Sequence, residues 1–412
     1  MNRSLDTAGP AALLARPSVR ATLAALAAPG EETRLVGGCV RDALLGSAAS
    51  DIDLATTLRP EAVMEHARHA GLKAVPTGIE HGTITVVTPQ EPIEVTTLRE
   101  DVETDGRHAV VRFGGDFAQD AARRDFTINA LSLGADGALH DTVGGLDDLR
   151  ARRVRFIGEA ATRIREDALR ILRFFRFHAR FAEAEPDGPA LAACIAARDA
   201  IDGLSRERVR NEFLKLLLAP GCVPVVTLLS GTGLLQRISG GVAELGRLAR
   251  SAAAGQGATM RLAALCVHAA HDEPRLRDSL RLSNAETAQL DTYAALLAAL
   301  HSCEGLGVKD VRALASVHGG RMVGETLAIL AGEPRPRPDE AALAEAARLA
   351  DGEGDPVFPL TGGDLVREGL PPGRAIGKGL AAAKAEWLAL GCPEDEASRQ
   401  ALLAQALEAA RP

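Results

Sequence analysis

The 412-residue sequence has few aromatic residues, no closely spaced cysteine pair and no long apolar run. Aromatic side chains make up only 3% of it, which argues against an extended surface for stacking single-stranded bases. The six cysteines include no CxxC pair, so we expect neither a disulfide framework nor a zinc site. No apolar stretch approaches the roughly 20 residues of a membrane helix, and the first 30 residues lack the pattern of a secretory signal. We therefore expect a cytoplasmic protein without membrane association.

Lysine is also scarce, because 42 of the 47 basic residues are arginine. The formal net charge of −8 argues against a globally basic protein that coats nucleic acid. Between residues 150 and 180, however, ten arginines stand against three acidic residues. A bias in coding would explain arginine in place of lysine, but the local surplus predicts a focused anion site.

The pattern of apolar residues divides the chain into a mixed part and a helical part. The first 30 residues predict one amphipathic helix. Short β-branched runs separated by turns and helical stretches then indicate an α+β head with a small mixed sheet through about residue 150. These runs are 34–38, 51–57, 82–88 and 93–98. From residue 160 onward, Ala- and Leu-rich segments with helical periodicity predict an all-helical remainder, interrupted by an exposed linker at 332–340.

A glycine pair marks the end of the first predicted strand. Gly37 and Gly38 let the backbone approach a ligand closely, and a helix that begins near Val40 favours an anion such as phosphate. Arg41, in the first turn of that helix, can reach the same anion. A plain turn is the alternative interpretation.

Two carboxylates follow about ten residues later. Asp51 and Asp53 flank Ile52, and side chains at i and i+2 of a strand share one face. Such a pair repels itself unless a divalent cation binds, and Mg²⁺ prefers one or two carboxylates together with substrate phosphates. Glu94, on another predicted strand, is a candidate third acid that binds the metal or orients a ligand. Solvent-facing strand acids are the alternative for all three.

The segment ARRDFTINALSL supplies further candidates for binding a nucleotide. The planar guanidinium groups of Arg123 and Arg124 suit triphosphate oxygens. Asp125 is able to accept a hydrogen bond from a ribose hydroxyl, and Asn129 follows four residues later. A structural cluster of ion pairs explains the same residues equally well.

The segment 163–181 is the most informative part of the sequence. On a single helix, one polar stripe would contain Asp167, Arg170, Arg173, Arg176 and Arg180. A carboxylate accepts from the exocyclic amine of cytosine or adenine, and an arginine one turn later donates to the same base edge. Uracil and guanine would present a carbonyl oxygen to the carboxylate and be repelled. The first two residues of this stripe are therefore predicted to select C and A without a nucleic-acid template.

Four motifs, VGGCVRD, DID, RRDFTINAL and EDALRILRFFRF, occur in this order in the chain. Their order resembles that of class II CCA-adding tRNA nucleotidyltransferases, which share a family with bacterial poly(A) polymerases, and the resemblance covers about residues 30–220. It implies a polymerase-β-type head followed by a helical neck, body and tail. The boundaries that we expect are 1–30 for an N-terminal helix, 31–150 for the head, 151–225 for the neck, 226–335 for the body and 336–412 for a tRNA-binding tail.

The resemblance also implies the reaction. With Mg²⁺ bound by Asp51 and Asp53, the 3′-hydroxyl of a tRNA would attack the α-phosphorus of CTP or ATP and release pyrophosphate. The phosphates would be held by Gly38, Arg41 and Arg124. The remaining nucleotide contacts would come from Asp125, Asn129, Glu166, Asp167, Arg170, Arg173 and Arg176, together with Gly37 and Arg123. Residues 99–116 would form a mobile loop, and no obligatory protein partner is expected.

Two other functions fit the same motifs. A poly(A) polymerase, or an enzyme that adds only part of CCA, would share the metal pair and the arginine stripe. A catalytically silent RNA-binding protein would share the fold, but it would have no need to keep Asp51 and Asp53.

Overall fold

The computed structural model describes residues 5–48, 51–104, 109–352 and 354–411. The chain divides into two compact units. The first consists of residues 1–212 with 219–221, and the second of 213–218 with 222–412. Within the described residues, no helix is both long and apolar enough to cross a membrane.

A seven-stranded mixed sheet forms the centre of the first unit. The strands of this unit are β1 (Thr33–Val36), β2 (Asp53–Thr56), β3 (Lys73–Gly78), β4 (Thr83–Val87), β5 (Pro92–Thr97), β6 (Arg99–Thr104), β7 (Ala109–Phe113), β8 (Ser132–Gly134) and β9 (Leu139–His140). The order in the sheet is β3-β4-β5-β2-β1-β8-β9, and only the β2–β5 pair is parallel. This arrangement confirms the predicted α+β head with a mixed sheet.

The strands β6 and β7 pair with each other as a separate antiparallel hairpin. The two arms of the segment 99–116, predicted to form a mobile loop, are therefore joined by backbone hydrogen bonds between strands, and the mobility of the segment stays a prediction. Residues 105–108, at the centre of that prediction, lie outside the described residues.

Ten helices in the described residues begin in the first unit. They are α1 (Gly9–Ala15), α2 (Pro17–Ala25), α3 (Gly38–Leu44), α4 (Pro60–His69), α5 (Phe117–Ala122), α6 (Gly145–Arg150), α7 (Ala160–Glu166), α8 (Leu169–Phe181), α9 (Gly188–Ala196) and α10 (Arg206–Leu217). Short 3₁₀ turns occur at 79–81, 127–129 and 198–203. The single N-terminal helix predicted for 1–30 is wrong, because the chain forms α1 and α2 instead. Pro17 disfavours helical backbone at the residue before it, and Arg16 accordingly takes extended angles of φ −58° and ψ 131°.

A cluster of aromatic rings fixes α8 to the sheet-containing part of the unit. The rings of Phe126 and Phe156 lie 4.9 Å apart, and Phe177 of α8 approaches Phe126 to 5.3 Å. Phe174, also on α8, stacks on Phe156 at 5.7 Å. Because Phe126 directly follows Asp125, this packing holds the arginine-bearing helix against the segment that contains RRDFTIN.

Among the residues of the second unit that the structure describes, the secondary structure is helical apart from one two-residue strand pair. Its helices are α11 (Cys222–Gly231), α12 (Leu234–Ser239), α13 (Leu245–Ala253), α14 (Ala258–Cys266), α15 (Asp272–Leu280), α16 (Asn284–Ser302), α17 (Val308–His318), α18 (Gly320–Leu330), α19 (Glu340–Ala350), α20 (Gly362–Arg367), α21 (Arg374–Ala389) and α22 (Glu396–Ala410). The parallel pair is β10 (Gly305–Leu306) with β11 (Arg337–Pro338), so the predicted linker contains a short strand. The division into neck, body and tail stays a prediction.

Candidate active site

Three carboxylates come together where β2 begins. Asp53 is the register partner of Glu94 in the parallel β2–β5 pair, and paired residues on adjacent strands share a face. Burial raises the pKa of Asp53, and the negative charges of Glu94 and Asp51 raise it further, whereas Arg124 opposes them. The structure thus concentrates negative charge at the position predicted to bind a metal.

The chemistry of these donors fits a hard divalent cation. Within the described ranges, no group of three or more His, Cys, Asp or Glu side chains is arranged to hold a metal ion. Mg²⁺, however, is commonly bound by one or two carboxylates together with substrate phosphates. The repulsion that raises the pKa of Asp53 is the kind that a cation relieves. Asp51 and Asp53 are therefore the residues that would hold Mg²⁺ when a nucleotide is bound.

The glycine turn after β1 lies directly against an arginine. Gly37 has φ +75° and ψ −127°, a combination that essentially only glycine adopts without strain. A Cβ atom at this position would lie 2.8 Å from Nη1 of Arg124. Gly38 then begins α3. The absence of a side chain at Gly37 thus leaves the space that the guanidinium group occupies.

Asp120 holds both arginines of the RRDFTIN segment. Its carboxylate accepts from Nε and Nη2 of Arg124 at 3.1 and 2.9 Å, and it also pairs with Arg123. Burial alone would raise the pKa of Asp120, but the charges of Arg124 and Arg123 outweigh it and lower the pKa. The arginines are therefore fixed by a buried anion, which the sequence reasoning missed although the i, i+3 and i, i+4 spacing was visible.

Asp125 is part of a buried polar network. It accepts from Asn129 Nδ2 at 3.0 Å and from Nε and Nη2 of Arg173 at 2.7 and 2.6 Å. Burial would raise its pKa, but the charge of Arg173 and the hydrogen bond from Asn129 lower it. Asn129 Oδ1 in turn accepts from Arg41 Nη1. The structure therefore contains the ion-pair cluster that the sequence allowed as an alternative, and it connects α3 with α8.

All three nitrogen atoms of the Arg41 guanidinium contact protein groups. Its side chain pairs with Asp42 through Nε and Nη2, at 2.8 and 2.7 Å, and its guanidinium lies 4.2 Å from the ring centre of Phe181. Burial lowers the pKa of Arg41, an effect that Asp42 opposes. Arg180 approaches the same Asp42 to 3.7 Å. Asp42 is thus a second buried anion that sequence reasoning did not select.

The predicted continuous helix over 163–181 is wrong. α7 ends at Glu166 and α8 begins at Leu169, and Asp167 between them has extended angles of φ −153° and ψ 107°. Its Oδ1 accepts from the backbone N–H of Leu169 at 3.0 Å. An aspartate that bonds to a nearby backbone amide competes with the helix and favours the start of a new one. Asp167 consequently lies before the arginine stripe rather than on it.

The two residues predicted to read the base are each paired within the protein. Oδ2 of Asp167 accepts from Arg208 Nη2 at 2.7 Å. Arg170 pairs with Glu166 and donates to the carbonyl oxygen of Arg163 at 2.9 Å. Arg170 Nη2 also lies 3.4 Å from the carbonyl oxygen of Arg123. The start of α8 therefore lies beside the segment that carries Arg124.

The other stripe arginines also contact acidic residues. Nε of Arg176 donates to Glu212 Oε2 at 2.5 Å, and Nη1 of Arg173 lies 3.9 Å from Glu212 Oε1. Glu212 belongs to α10, and its carboxylate is buried. This segment lies within the part of the sequence that resembles the family, but the sequence did not predict Glu212 as a site residue. A contact over 36 residues depends on tertiary packing, so spacing alone gives no signal for it.

The fold and this site define a nucleotidyltransferase head joined to helices that carry an arginine cluster. Residues 33–155 match the family described as Poly A polymerase head domain, and residues 187–243 match the one described as Probable RNA and SrmB- binding site of polymerase A. A CCA-adding enzyme of Limosilactobacillus fermentum is 32% identical over 373 residues, which cover 88% of this chain and 90% of that protein. The chain belongs to the family of CCA-adding enzymes, as the motif order predicted.

Two further comparisons also find similarity to enzymes of this family. CCA tRNA nucleotidyltransferase 1, mitochondrial, of Danio rerio is 46% identical over 209 residues, 50% of this chain. The chain spans about half the length of that relative, 48%. The crystal structure of the Bacillus stearothermophilus CCA-adding enzyme in complex with CTP has a TM-score of 0.70 at 25% identity and covers 95% of this chain and 98% of that one.

Proposed function

We propose that this chain adds CMP and AMP, from CTP and ATP, to the 3′ end of tRNA and releases pyrophosphate. Family membership supports this activity, as does the similarity to a CCA-adding enzyme that was crystallised with CTP. Both nucleotides carry the exocyclic amine that a carboxylate accepts, which supports selection of the base by protein side chains.

In this proposal, the carboxylates of the first unit bind the metal ion and its arginines bind the nucleotide. Asp51 and Asp53 hold Mg²⁺, with Glu94 beside them to orient the ligands. A cation held by these carboxylates would supply positive charge that lowers the pKa of the attacking hydroxyl and offsets the charge developing on the leaving group. Arg124 donates to the triphosphate next to the glycine turn, and this interaction opposes the repulsion between the phosphates and the carboxylates.

Base selection takes place at the start of α8. Asp167 accepts from the exocyclic amine of cytosine or adenine, and Arg170 donates to the neighbouring ring nitrogen or carbonyl. Because Arg170 is paired with Glu166, the base replaces one charge-assisted hydrogen bond by another. The net gain per contact is therefore small for the correct base, whereas a carbonyl facing Asp167 is repelled.

The observation that carries the proposal is the position of the Arg123–Arg124 dipeptide. Arg124 acts electrostatically on Asp53 and lies against Gly37, while the carbonyl oxygen of Arg123 lies within reach of Arg170. One short segment thus connects the carboxylates of the sheet to the start of the base-selecting helix, as a single nucleotide spanning both would require.

The test is incorporation of labelled nucleotides into a tRNA transcript that lacks CCA. We expect incorporation of CMP and AMP but not of UMP or GMP, loss of incorporation in Asp53→Ala, and unchanged tRNA binding in that variant. Glu65→Ala, which removes an exposed carboxylate on α4, is the matched control and should retain full activity.

Other outcomes distinguish the alternative functions. Incorporation of AMP without CMP would replace this proposal by a poly(A) polymerase or an A-adding enzyme. Binding of tRNA without incorporation of any nucleotide would favour a silent RNA-binding protein. Full activity of Asp53→Ala would contradict the assigned role of that residue.

We also propose a cytoplasmic location. All six cysteines are free, which is typical of a reducing compartment. Relatives named as mitochondrial make organelle fractionation the appropriate test, and recovery of the protein in the organelle would contradict the proposal.

A further inference from the structure

The orientation of the Asp167 side chain depends on residues outside α7 and α8. Asp167 lies in the break between α7 and α8, where the backbone is extended, so helical geometry does not set the direction of the side chain. Its Oδ1 is used locally by the N–H of Leu169. The oxygen that remains to face a base is Oδ2, and Oδ2 is held by Arg208 at 2.7 Å.

Arg208 and Glu212 are four residues apart on α10, so they lie on one face of that helix. Glu212 binds Arg176 and lies 3.9 Å from Arg173 of α8. The same face of α10 therefore contacts the arginine stripe of α8 through Glu212 and the carboxylate of Asp167 through Arg208. Each of the two α10 residues carries a charge opposite to that of its partner, Glu212 to Arg176 and Arg208 to Asp167. One helix thus fixes both the arginine stripe and the carboxylate proposed to select the base.

We infer that Arg208 is a positioning residue for nucleotide selection, because it holds the Asp167 carboxylate where a base carbonyl would meet it. This inference rests on the proposed nucleotidyltransferase function. A carboxylate oxygen has two lone pairs, so Oδ2 is able to accept from Arg208 and from the exocyclic amine of C or A together. Without Arg208, the carboxylate turns away from the base, and a uracil or guanine carbonyl no longer meets a fixed negative charge.

The test compares kcat/KM for CTP, ATP, UTP and GTP on a tRNA transcript lacking CCA. In Arg208→Ala we expect the CTP-to-UTP and ATP-to-GTP ratios to fall about tenfold or more, through a higher KM for CTP and ATP and easier use of UTP and GTP. Arg208→Lys should restore most of the discrimination, because an ammonium group also donates to Oδ2.

Arg198→Ala is the matched control, because the side chains of Arg198 and Arg208 are both 48% exposed. It should leave both ratios unchanged. Thermal unfolding of the Ala and Lys variants separates selection from stability, and Arg208→Gln, which keeps a neutral donor, serves if the Ala variant does not fold.

The outcomes separate this inference from the proposed function. Wild-type protein that incorporates no nucleotide would overturn the function itself. Active wild-type protein combined with unchanged ratios in Arg208→Ala would overturn only the role of Arg208. Equal losses of kcat/KM for all four nucleotides would also overturn it, since they indicate a structural effect without selection.

Discussion

Replacing Gly37 by alanine tests how the glycine turn and Arg124 depend on each other. The new Cβ would meet two obstacles, a backbone at φ +75° and ψ −127° and the Nη1 atom of Arg124 at 2.8 Å. Backbone strain of this kind costs about 1–3 kcal/mol, and the lower entropy of the unfolded alanine variant returns about 0.4–1 kcal/mol. The midpoints of these two ranges leave a net loss of roughly 1–2 kcal/mol in the free energy of unfolding.

The same substitution should weaken nucleotide binding, because Arg124 has to move. A hydrogen bond to a charged group is worth about 1.5–3 kcal/mol. At 1.36 kcal/mol per factor of ten, its loss corresponds to a decrease in kcat/KM of about 10- to 150-fold. The decrease should be equal for CTP and ATP, since the triphosphate is common to both.

Thermal unfolding and steady-state kinetics check the two effects separately. For a unit of 150–250 residues, 1–2 kcal/mol corresponds to a decrease in Tm of about 2–8 °C. Gly30→Ala is the control, because Gly30 also has a positive φ of +79° but a Cβ there has no neighbour within 4 Å. It should lose stability without a change in kcat/KM. A Gly37→Ala variant with wild-type kinetics, or with the same kinetic loss as Gly30→Ala, would refute the contact with Arg124 as the cause.

Two further substitutions test the neighbouring charges. Because the pKa of Asp120 is lower in the folded state, its stabilising effect is present above its ordinary value of 3.8 and is lost as the pH falls through the lower, folded-state value. Asp120→Asn should thus lower the free energy of unfolding by about 1–3 kcal/mol at pH 7. In urea titrations, the difference in stability between variant and wild type should narrow below pH 3.8. A difference that does not change with pH would contradict this. Asp167→Ala should lose about 1–3 kcal/mol of discrimination against UTP and GTP, with the same Mg²⁺ dependence as wild type, and an unchanged nucleotide preference would exclude a templating role.

The sequence was most informative where local patterns determine structure. The runs that became β1, β2, β4 and β5 are β-branched and apolar, and all four were predicted. β3 was missed because its centre contains Pro76 and polar residues, which are uncommon within a strand. The three-residue β8 and the two-residue β9 are too short to show an alternating pattern.

The candidate site shows a similar limit. The sequence predicted Glu94 as a third acid on another strand, and the register of β2 and β5 places it beside Asp53. It did not reveal that Arg176 is held by Glu212, because tertiary packing joins residues 36 positions apart. The break at Asp167 was missed for a local reason, since its side chain binds a backbone amide that a continuous helix would use.

Counting the donors of each arginine indicates which one is able to bind phosphate. The guanidinium of Arg41 is engaged through Nε and Nη2 by Asp42, through Nη1 by Asn129 and on its face by Phe181, and the residue is only 5% exposed. Arg124 uses Nε and Nη2 for Asp120, but its Nη1 has only a long contact of 3.4 Å to the carbonyl oxygen of Asn129, and its side chain is 26% exposed. A phosphate therefore displaces little at Arg124, whereas at Arg41 it would have to break a buried pair. Arg124 is therefore the better candidate for the triphosphate, and we propose that Arg41 acts by fixing Asn129.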